Sequence, residues 1–168
     1  MSREHGSPSP WGWPRGGGPT SPASAAHPPP APPSSEGRPL RIAGYAALFD
    51  KVDGARDTIR PGAFARTLAE RSGPYPLYWQ HRPDRRIGWV ETVGEDARGL
   101  RIIATIDNPD GRAAKLLRER AVNGLSFGYR ARAYSQTPQG RELADIELFE
   151  VSVVTHPLQD GARVHYLS

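Results

Sequence analysis

Gly124-Leu125-Ser126-Phe127-Gly128-Tyr129 follows a predicted helix and opens a predicted strand. The stretch places one hydroxyl, that of Ser126, between two apolar residues, with a glycine two positions away on each side. Because glycine has no Cβ, other parts of the chain can approach closely at these positions. A nucleophilic serine needs such surroundings, but similar runs also occur at ordinary strand starts. The stretch by itself therefore leaves a catalytic and a structural interpretation open.

Two residues elsewhere in the chain favour the catalytic interpretation. His81 lies upstream, at the end of the predicted strand 75–80, and Glu150 lies downstream within an apolar strand. Histidine is suited to take a proton near neutral pH, because its ordinary pKa is about 6.5. A carboxylate within an apolar strand is costly to bury unless it has a partner. A serine, a histidine and a carboxylate are thus available for nucleophilic catalysis.

The composition excludes several kinds of site. The 168 residues suffice for one domain with a modest core. Without cysteine, the chain has no disulfide, no thiolate and no cysteine-ligated zinc. Its net charge of +4 is spread along the chain with no run of five basic residues, so nucleic-acid binding is not favoured. No apolar stretch approaches the roughly 20 residues of a membrane span, so no membrane partner is predicted.

The chain divides near residue 40. Eleven of the 18 prolines precede Leu40, and a segment of this composition buries too little apolar surface to offset its chain entropy. We predict a disordered Pro/Gly/Ser-rich arm over residues 1–39 and a folded domain over residues 40–168. Six to eight short strands and two helices, near 63–71 and between 110 and 123, predict an α+β, mainly β fold. The expected architecture is a closed or nearly closed β-barrel flanked by helices.

Seven short motifs occur in the order that is typical of one protein family. They are Gly44-Tyr45-Ala46-Ala47-Leu48-Phe49, Ile59-Arg60-Pro61-Gly62-Ala63-Phe64, Gln80-His81, Ile87-Gly88, Gly99-Leu100, Asn123-Gly124-Leu125-Ser126-Phe127-Gly128-Tyr129 and Leu148-Phe149-Glu150-Val151-Ser152-Val153-Val154-Thr155. In these motifs the chain resembles the prohead (procapsid) maturation serine proteases of tailed bacteriophages, which are related in fold to the assemblin proteases of herpesviruses. The resemblance leaves the N-terminal arm outside. It implies an assemblin-like β-barrel with serine endopeptidase activity.

The resemblance assigns roles to three residues. Ser126 matches the nucleophile, His81 matches the general base, and Glu150 occupies the place of the third triad member. Physical chemistry agrees with these roles. A serine hydroxyl becomes a good nucleophile only when a base takes its proton, and that base needs a third group to orient it.

Other assignments stay open at this point. Asp145, Glu147 and His156 are alternatives to Glu150 as the third member. Ser152 is a second candidate nucleophile, but its position in mid-strand without a flanking glycine favours a core hydroxyl.

The resemblance also indicates where an oxyanion hole would lie. In the herpesvirus relatives, backbone amides just beyond the third triad member serve this role. Counting on from Glu150 makes the amides of Leu158 and Gln159 the candidates, followed by that of Asp160. The amides of Asn123-Gly124 are the alternative.

Substrates, assembly and location follow from the same resemblance. The expected substrates are a scaffold protein or the precursor of the major capsid protein, together with the enzyme itself. A homo-oligomer such as a dimer is expected, inside the procapsid in the host or bacterial cytoplasm. No cofactor or metal is predicted, because the histidines lack a close-spaced ligand pair. The alternative is a non-catalytic β-barrel that binds nucleic acid or serves in morphogenesis, which would not need an ordered set of serine, histidine and carboxylate.

Overall fold

The computed structural model describes residues 39–168, so the predicted arm, apart from Pro39, lies outside the described residues. Strands dominate the described part, as the mainly β prediction required. The elements in chain order are β1 (Leu40–Leu48), β2 (Asp57–Ile59), α1 (Ala65–Glu70), β3 (Tyr75–Trp79), β4 (Arg82–Glu95), β5 (Gly99–Ile106), α2 (Arg112–Arg118), β6 (Gly124–Thr137), β7 (Gly140–Val154) and β8 (Val164–Leu167). Within residues 39–168, neither helix has the length and apolar character needed to cross a membrane.

Both helices are shorter than predicted. α2 ends at Arg118 rather than near Asn123, because Arg120 takes the left-handed conformation with a φ of 55° and the chain turns there. The Arg120 amide then donates to the Leu117 carbonyl at 3.0 Å, which satisfies one of the acceptors that a helix end leaves open. α1 keeps only six residues.

β7 is the centre of the sheet. It pairs antiparallel with β6 along its length. On its other edge it pairs parallel with β2 near its start and with β3 near its end. From β3 the sheet continues through β4, β5, β1 and β8, and each of these pairs is antiparallel. The second half of β7 therefore lies between the two strands, β3 and β6, that carry or adjoin the predicted catalytic residues.

The sheet curls but does not close, so the closed form of the predicted barrel is wrong. Its two ends, β6 and β8, approach each other at an isolated bridge between Gly124 and Arg163. One adjoining hydrogen bond runs from the Leu125 amide to the Ala162 carbonyl at 2.8 Å. To close the sheet, the segment between β7 and β8 would have to continue the strand pairing at this edge. It turns instead, and it contains Pro157, which has no amide to donate.

The strand that carries the predicted nucleophile is anchored in the apolar core. Phe127 directly follows Ser126 and packs edge to face on Phe64, with 5.4 Å between the ring centroids. Phe64, which precedes α1, is completely buried. Such an aromatic pair adds about 0.5–1.5 kcal/mol to the effect of apolar burial. The backbone next to Ser126 is thus held by the core rather than by a loop.

A buried polar cluster joins β2, β6 and β7. Asp57 on β2 is 1% exposed and accepts two hydrogen bonds from Arg141 on β7, at 2.7 and 2.6 Å. The hydroxyl of Tyr129 on β6 donates to the same carboxylate at 2.6 Å. Burial first, and then the hydrogen bond to Asp57, raise the pKa of Tyr129 above its ordinary value. Tyr129 therefore remains a hydrogen-bond donor at neutral pH.

Asp57→Ala is expected to lower the free energy of unfolding by about 3 kcal/mol, because it leaves the Arg141 charge without its buried partner. Urea unfolding followed by circular dichroism measures this loss. Asp50→Ala is the matched control, since the Asp50–Arg60 ion pair at 2.9 Å has side chains that are 53% and 49% exposed. Exposed pairs contribute about 0–1 kcal/mol. Equal unfolding midpoints for the two variants would show that the cluster does not stabilise the sheet.

Candidate active site

The strand register brings the predicted nucleophile and the predicted carboxylate onto one face of the sheet. Ser126 on β6 lies opposite Ser152 on β7, and Gly128 lies opposite Glu150. On the other side of β7, Tyr78 of β3 is the partner of Ser152. Since alternate residues of a strand point to the same side, Ser126, Ser152 and Glu150 share a face.

His81 reaches this face from a tight turn. Trp79 of β3 pairs with Arg82 of β4, which leaves Gln80 and His81 as a two-residue hairpin connection. Both turn residues have positive φ, 55° and 57°, as in the type I′ turns that usually contain asparagine or glycine. A residue held in such a sparsely populated conformation costs on the order of 1–3 kcal/mol, and such residues cluster at functional sites. The turn is therefore strained, and contacts with other parts of the fold must stabilise its conformation.

Gln80 holds the strained turn against the end of β7. Its amide donates to the Val153 carbonyl at 2.9 Å. Its side chain donates to the Thr155 hydroxyl at 2.6 Å and accepts from the Thr155 amide at 3.2 Å. The sequence gives no local signal for this function of Gln80, because its partners lie more than 70 positions away.

The structure brings two of the three predicted residues into direct contact. His81 Nδ1 lies 2.6 Å from Glu150 Oε1, and the two side chains are 14% and 1% exposed. The other carboxylate oxygen, Oε2, accepts a hydrogen bond from the Ser152 hydroxyl at 2.5 Å. Burial, and then the negative charge of Glu150, raise the pKa of Tyr78. A buried carboxylate with two hydrogen-bond partners thus orients the imidazole.

The three alternatives to Glu150 lie in other surroundings. Asp145 pairs with Arg66 at 3.3 Å, and Glu147 pairs with Arg130. His156 is exposed. Of the four candidates, Glu150 is the one whose carboxylate contacts His81.

Gly128 makes room for this carboxylate. A Cβ added at residue 128 would lie 2.6 Å from Glu150 Oε1 and 2.9 Å from Glu150 Cγ. At the other glycine of the stretch, Gly124, the close neighbours are different. A Cβ added there would lie 2.6 Å from the Val154 carbonyl oxygen and 2.8 Å from the Pro157 ring. The close approach expected at both glycines therefore involves a functional side chain at only one of them.

Gly128→Ala is expected to slow catalysis by about 10²-fold, since a misplacement of about 1 Å in a catalytic group has an effect of this size. The added methyl forces the Glu150 carboxylate away from its position under His81. The rate at which a fluorophosphonate labels the protein measures the loss without any knowledge of the substrate. Gly94→Ala is the control, because a Cβ at Gly94 meets nothing within 4 Å. Labelling of Gly128→Ala at the rate of Gly94→Ala would contradict the role given to Gly128.

The predicted oxyanion candidates lie beside Ser126. Leu158 and Gln159 line one small cavity together with Ser126. The Gln159 side chain is engaged with β1: it accepts from the Leu48 amide at 2.7 Å and donates to the Leu48 and Lys51 carbonyls at 3.0 and 3.2 Å. The Gln159 side chain is therefore engaged within the fold, and the oxyanion candidates in this turn are backbone amides.

Arg163 braces the same turn against the start of the nucleophile strand. Its Nη1 donates to the Asn123 side chain at 2.7 Å, and its Nε donates to the Asp160 carbonyl. This side chain connects the alternative oxyanion position, at Asn123-Gly124, to the turn that carries Leu158 and Gln159. Both sets of amides thus belong to one connected region.

Within residues 39–168, no group of three or more histidine, aspartate or glutamate side chains is arranged to hold an ion. His165 lies apart from the site and contacts the Tyr45 ring edge to face, with 6.0 Å between centroids.

Comparison with known proteins confirms the resemblance drawn from the seven motifs. The family model described as Caudovirus prohead serine protease matches residues 31–168, and so begins ahead of the boundary predicted near residue 40. The prohead protease of Enterobacteria phage HK97 is 28% identical over a match of 138 residues that covers 78% of this chain and 61% of that protein. The chain therefore spans less than two thirds of the length of this relative.

A solved structure of a phage protease shares the fold. The capsid assembly protease of bacteriophage T4 has a TM-score of 0.55 at 12% identity, over 69% of this chain and 81% of that chain. The protease of varicella-zoster virus has a TM-score of 0.49 at 21% identity, over 76% of this chain and 63% of that chain.

Proposed function

Because the chain belongs to the Caudovirus prohead serine protease family, we propose that it is a serine endopeptidase of procapsid maturation. The observation that carries the proposal is the buried contact of 2.6 Å between His81 and Glu150. A carboxylate, an imidazole and a serine on one sheet face form the set that acyl transfer to a serine requires. The catalytic residues are Ser126 as nucleophile, His81 as general base and Glu150 as the group that orients His81.

The proposed reaction proceeds in two steps. In the first, Ser126 Oγ attacks the peptide carbonyl, while His81 Nε2 takes the hydroxyl proton and then gives it to the leaving amine. In the second, a water attacks the acyl-enzyme ester, His81 takes the proton of that water, and Ser126 recovers its hydrogen as the acid product leaves. Glu150 accepts from Nδ1–H throughout and stabilises the imidazolium that forms in each step.

The developing oxyanion needs donors that already point toward it. We assign this role to the backbone amides of Leu158 and Gln159, which lie in the turn beside Ser126. Asp160 and the Asn123-Gly124 amides are the alternatives. Substitution of the Gln159 side chain does not test the assignment, because that side chain anchors the turn to Leu48.

The proposed substrates are the scaffold or capsid-precursor proteins of the same particle, together with the chain itself. The domain over residues 40–168 carries the proposed activity. A homo-oligomer within the procapsid, in the host or bacterial cytoplasm, is the proposed setting. Family membership supports this setting, since procapsid maturation takes place inside the assembling particle.

Co-expression of the full chain with the capsid precursor from the same genome tests the proposed function. We expect mass spectrometry to find cleavage of the precursor at defined peptide bonds and shortening of the chain itself. A fluorophosphonate should block both reactions and label Ser126, as peptide mapping would report. An intact precursor together with an unlabelled, folded protein would refute the proposal and favour a non-catalytic morphogenesis module.

A further inference from the structure

We propose that Ser152 is a positioning residue that holds the Glu150 carboxylate in the orientation His81 needs. The inference rests on the proposed protease function for its kinetic consequences, but its structural part stands on the contacts alone. Sequence analysis favoured a core hydroxyl at this position, and the structure gives that hydroxyl a specific partner.

The carboxylate is almost completely enclosed, and its two oxygens have different partners. Glu150 is 1% exposed and Ser152 is 0% exposed. Oε1 lies 2.6 Å from His81 Nδ1, and Oε2 accepts from the Ser152 hydroxyl at 2.5 Å. Because a buried carboxylate oxygen without a donor is costly, loss of the Ser152 hydroxyl would favour rotation of the carboxylate toward another donor. Such a rotation would remove Oε1 from its position opposite Nδ1.

The same contact determines which nitrogen of His81 acts as the base. An ionised carboxylate can only accept hydrogen bonds, so the proton between His81 and Glu150 lies on Nδ1. Nε2 then carries the lone pair that takes the proton of Ser126. By donating to Oε2, Ser152 holds Oε1 opposite Nδ1 and thereby favours this tautomer.

Ser152 is poorly suited to act as the nucleophile, which is the other function that its hydroxyl suggests. It is fully buried in mid-strand between Val151 and Val153, which are also fully buried, so a substrate carbonyl cannot reach it. Its hydrogen is already donated to Glu150. Ser126 in the neighbouring strand is 6% exposed, but unlike Ser152 it lines the small cavity beside Leu158 and Gln159. Ser152 therefore acts through Glu150 and not as a nucleophile.

Ser152→Ala is expected to lower kcat about tenfold and to leave KM unchanged, because the substrate does not touch Ser152. Ser152→Cys has a somewhat larger side chain whose thiol is only a weak donor, so it should also lower kcat but without leaving a cavity. Thr67→Ala is the matched control. It removes another buried hydroxyl, one that accepts from the Leu148 amide of β7 at 3.1 Å, and it should affect stability but not kcat.

A double-mutant cycle separates positioning from a general structural effect. If Ser152 acts through Glu150, Ser152→Ala should have little further effect on kcat when Glu150→Gln is already present. If the two losses multiply, Ser152 acts independently of Glu150 and the proposal is wrong.

An NMR measurement tests the structural part without any substrate. In ¹⁵N-histidine-labelled protein, the Nδ1–H resonance of His81 should move in Ser152→Ala and Ser152→Cys, and stay in place in Thr67→Ala. An unchanged resonance in both Ser152 variants would overturn the proposal. If the wild-type protein neither cleaves precursor nor reacts with a fluorophosphonate, the proposed function fails, whereas the resonance still reports whether Ser152 positions Glu150.

Discussion

Ser126→Ala is expected to abolish proteolysis, with a loss of about 10⁴- to 10⁶-fold in kcat, as is found when the nucleophile of a serine protease is removed. The reason is chemical, because no acyl-enzyme can form without the Oγ atom. Cleavage of the capsid precursor and fluorophosphonate labelling should both disappear. The fold should persist, since the neighbouring Phe127 remains packed on Phe64 in the core.

The control for this variant lies on the same strand. Ser135 of β6 is exposed, and Ser135→Ala should cleave and label at the wild-type rate. Residual labelling of Ser126→Ala at another serine would transfer the role of nucleophile to that residue, and peptide mapping would identify it. Continued cleavage of the precursor by the folded Ser126→Ala protein would refute the assignment of Ser126 as the nucleophile.

Glu150→Gln is expected to lower kcat by about 10³- to 10⁴-fold, the effect of replacing a triad carboxylate by its amide. Glutamine keeps the size of the side chain, but its NH₂ group can donate to Nδ1 and so favour the tautomer that carries its proton on Nε2. In that tautomer His81 cannot take the proton of Ser126. KM should change little, because the loss falls on the transition state. Steady-state kinetics on a peptide from the mapped cleavage site measure both quantities.

Two variants on the same strand test the alternatives to Glu150. Glu147→Gln and Asp145→Asn alter carboxylates that pair with Arg130 and Arg66, and both should retain kcat within a few-fold. If either of them loses activity as Glu150→Gln is expected to, while Glu150→Gln remains active, the third member of the triad has been misassigned.

Local sequence determined the kinds of residue in the site and most of the elements that carry them. The stretch around Ser126 was recognised as the start of a strand that follows a helix, and a helix was predicted near 63–71, where α1 lies. The motifs also sufficed to recognise the family. These signals depend on neighbours within a few positions, which a sequence displays directly. The end of α2 at Arg118 was missed, because the left-handed turn at Arg120 has no local signature.

Only the tertiary structure decided which carboxylate contacts His81. Glu150, Glu147 and Asp145 lie on one strand within six positions, and His81 lies 69 positions from Glu150. The choice depends on the register in which β7 pairs with β3 and β6, since a shift of one residue would turn Glu150 to the other face. Register is set by packing along the whole strand, so no short pattern in the chain specifies it.

The same reason explains why the sequence does not reveal the contacts that position the catalytic residues. The donation from Ser152 to Glu150, the space that Gly128 leaves and the hold of Gln80 on Thr155 become visible only when β3, β6 and β7 lie side by side. The incomplete closure of the sheet is likewise a property of how its two ends meet. Sequence by itself therefore determined the chemistry that is available to this protein. The pairing of distant strands decided which groups are brought together to perform it, because the energy of each contact depends on atoms far apart along the chain.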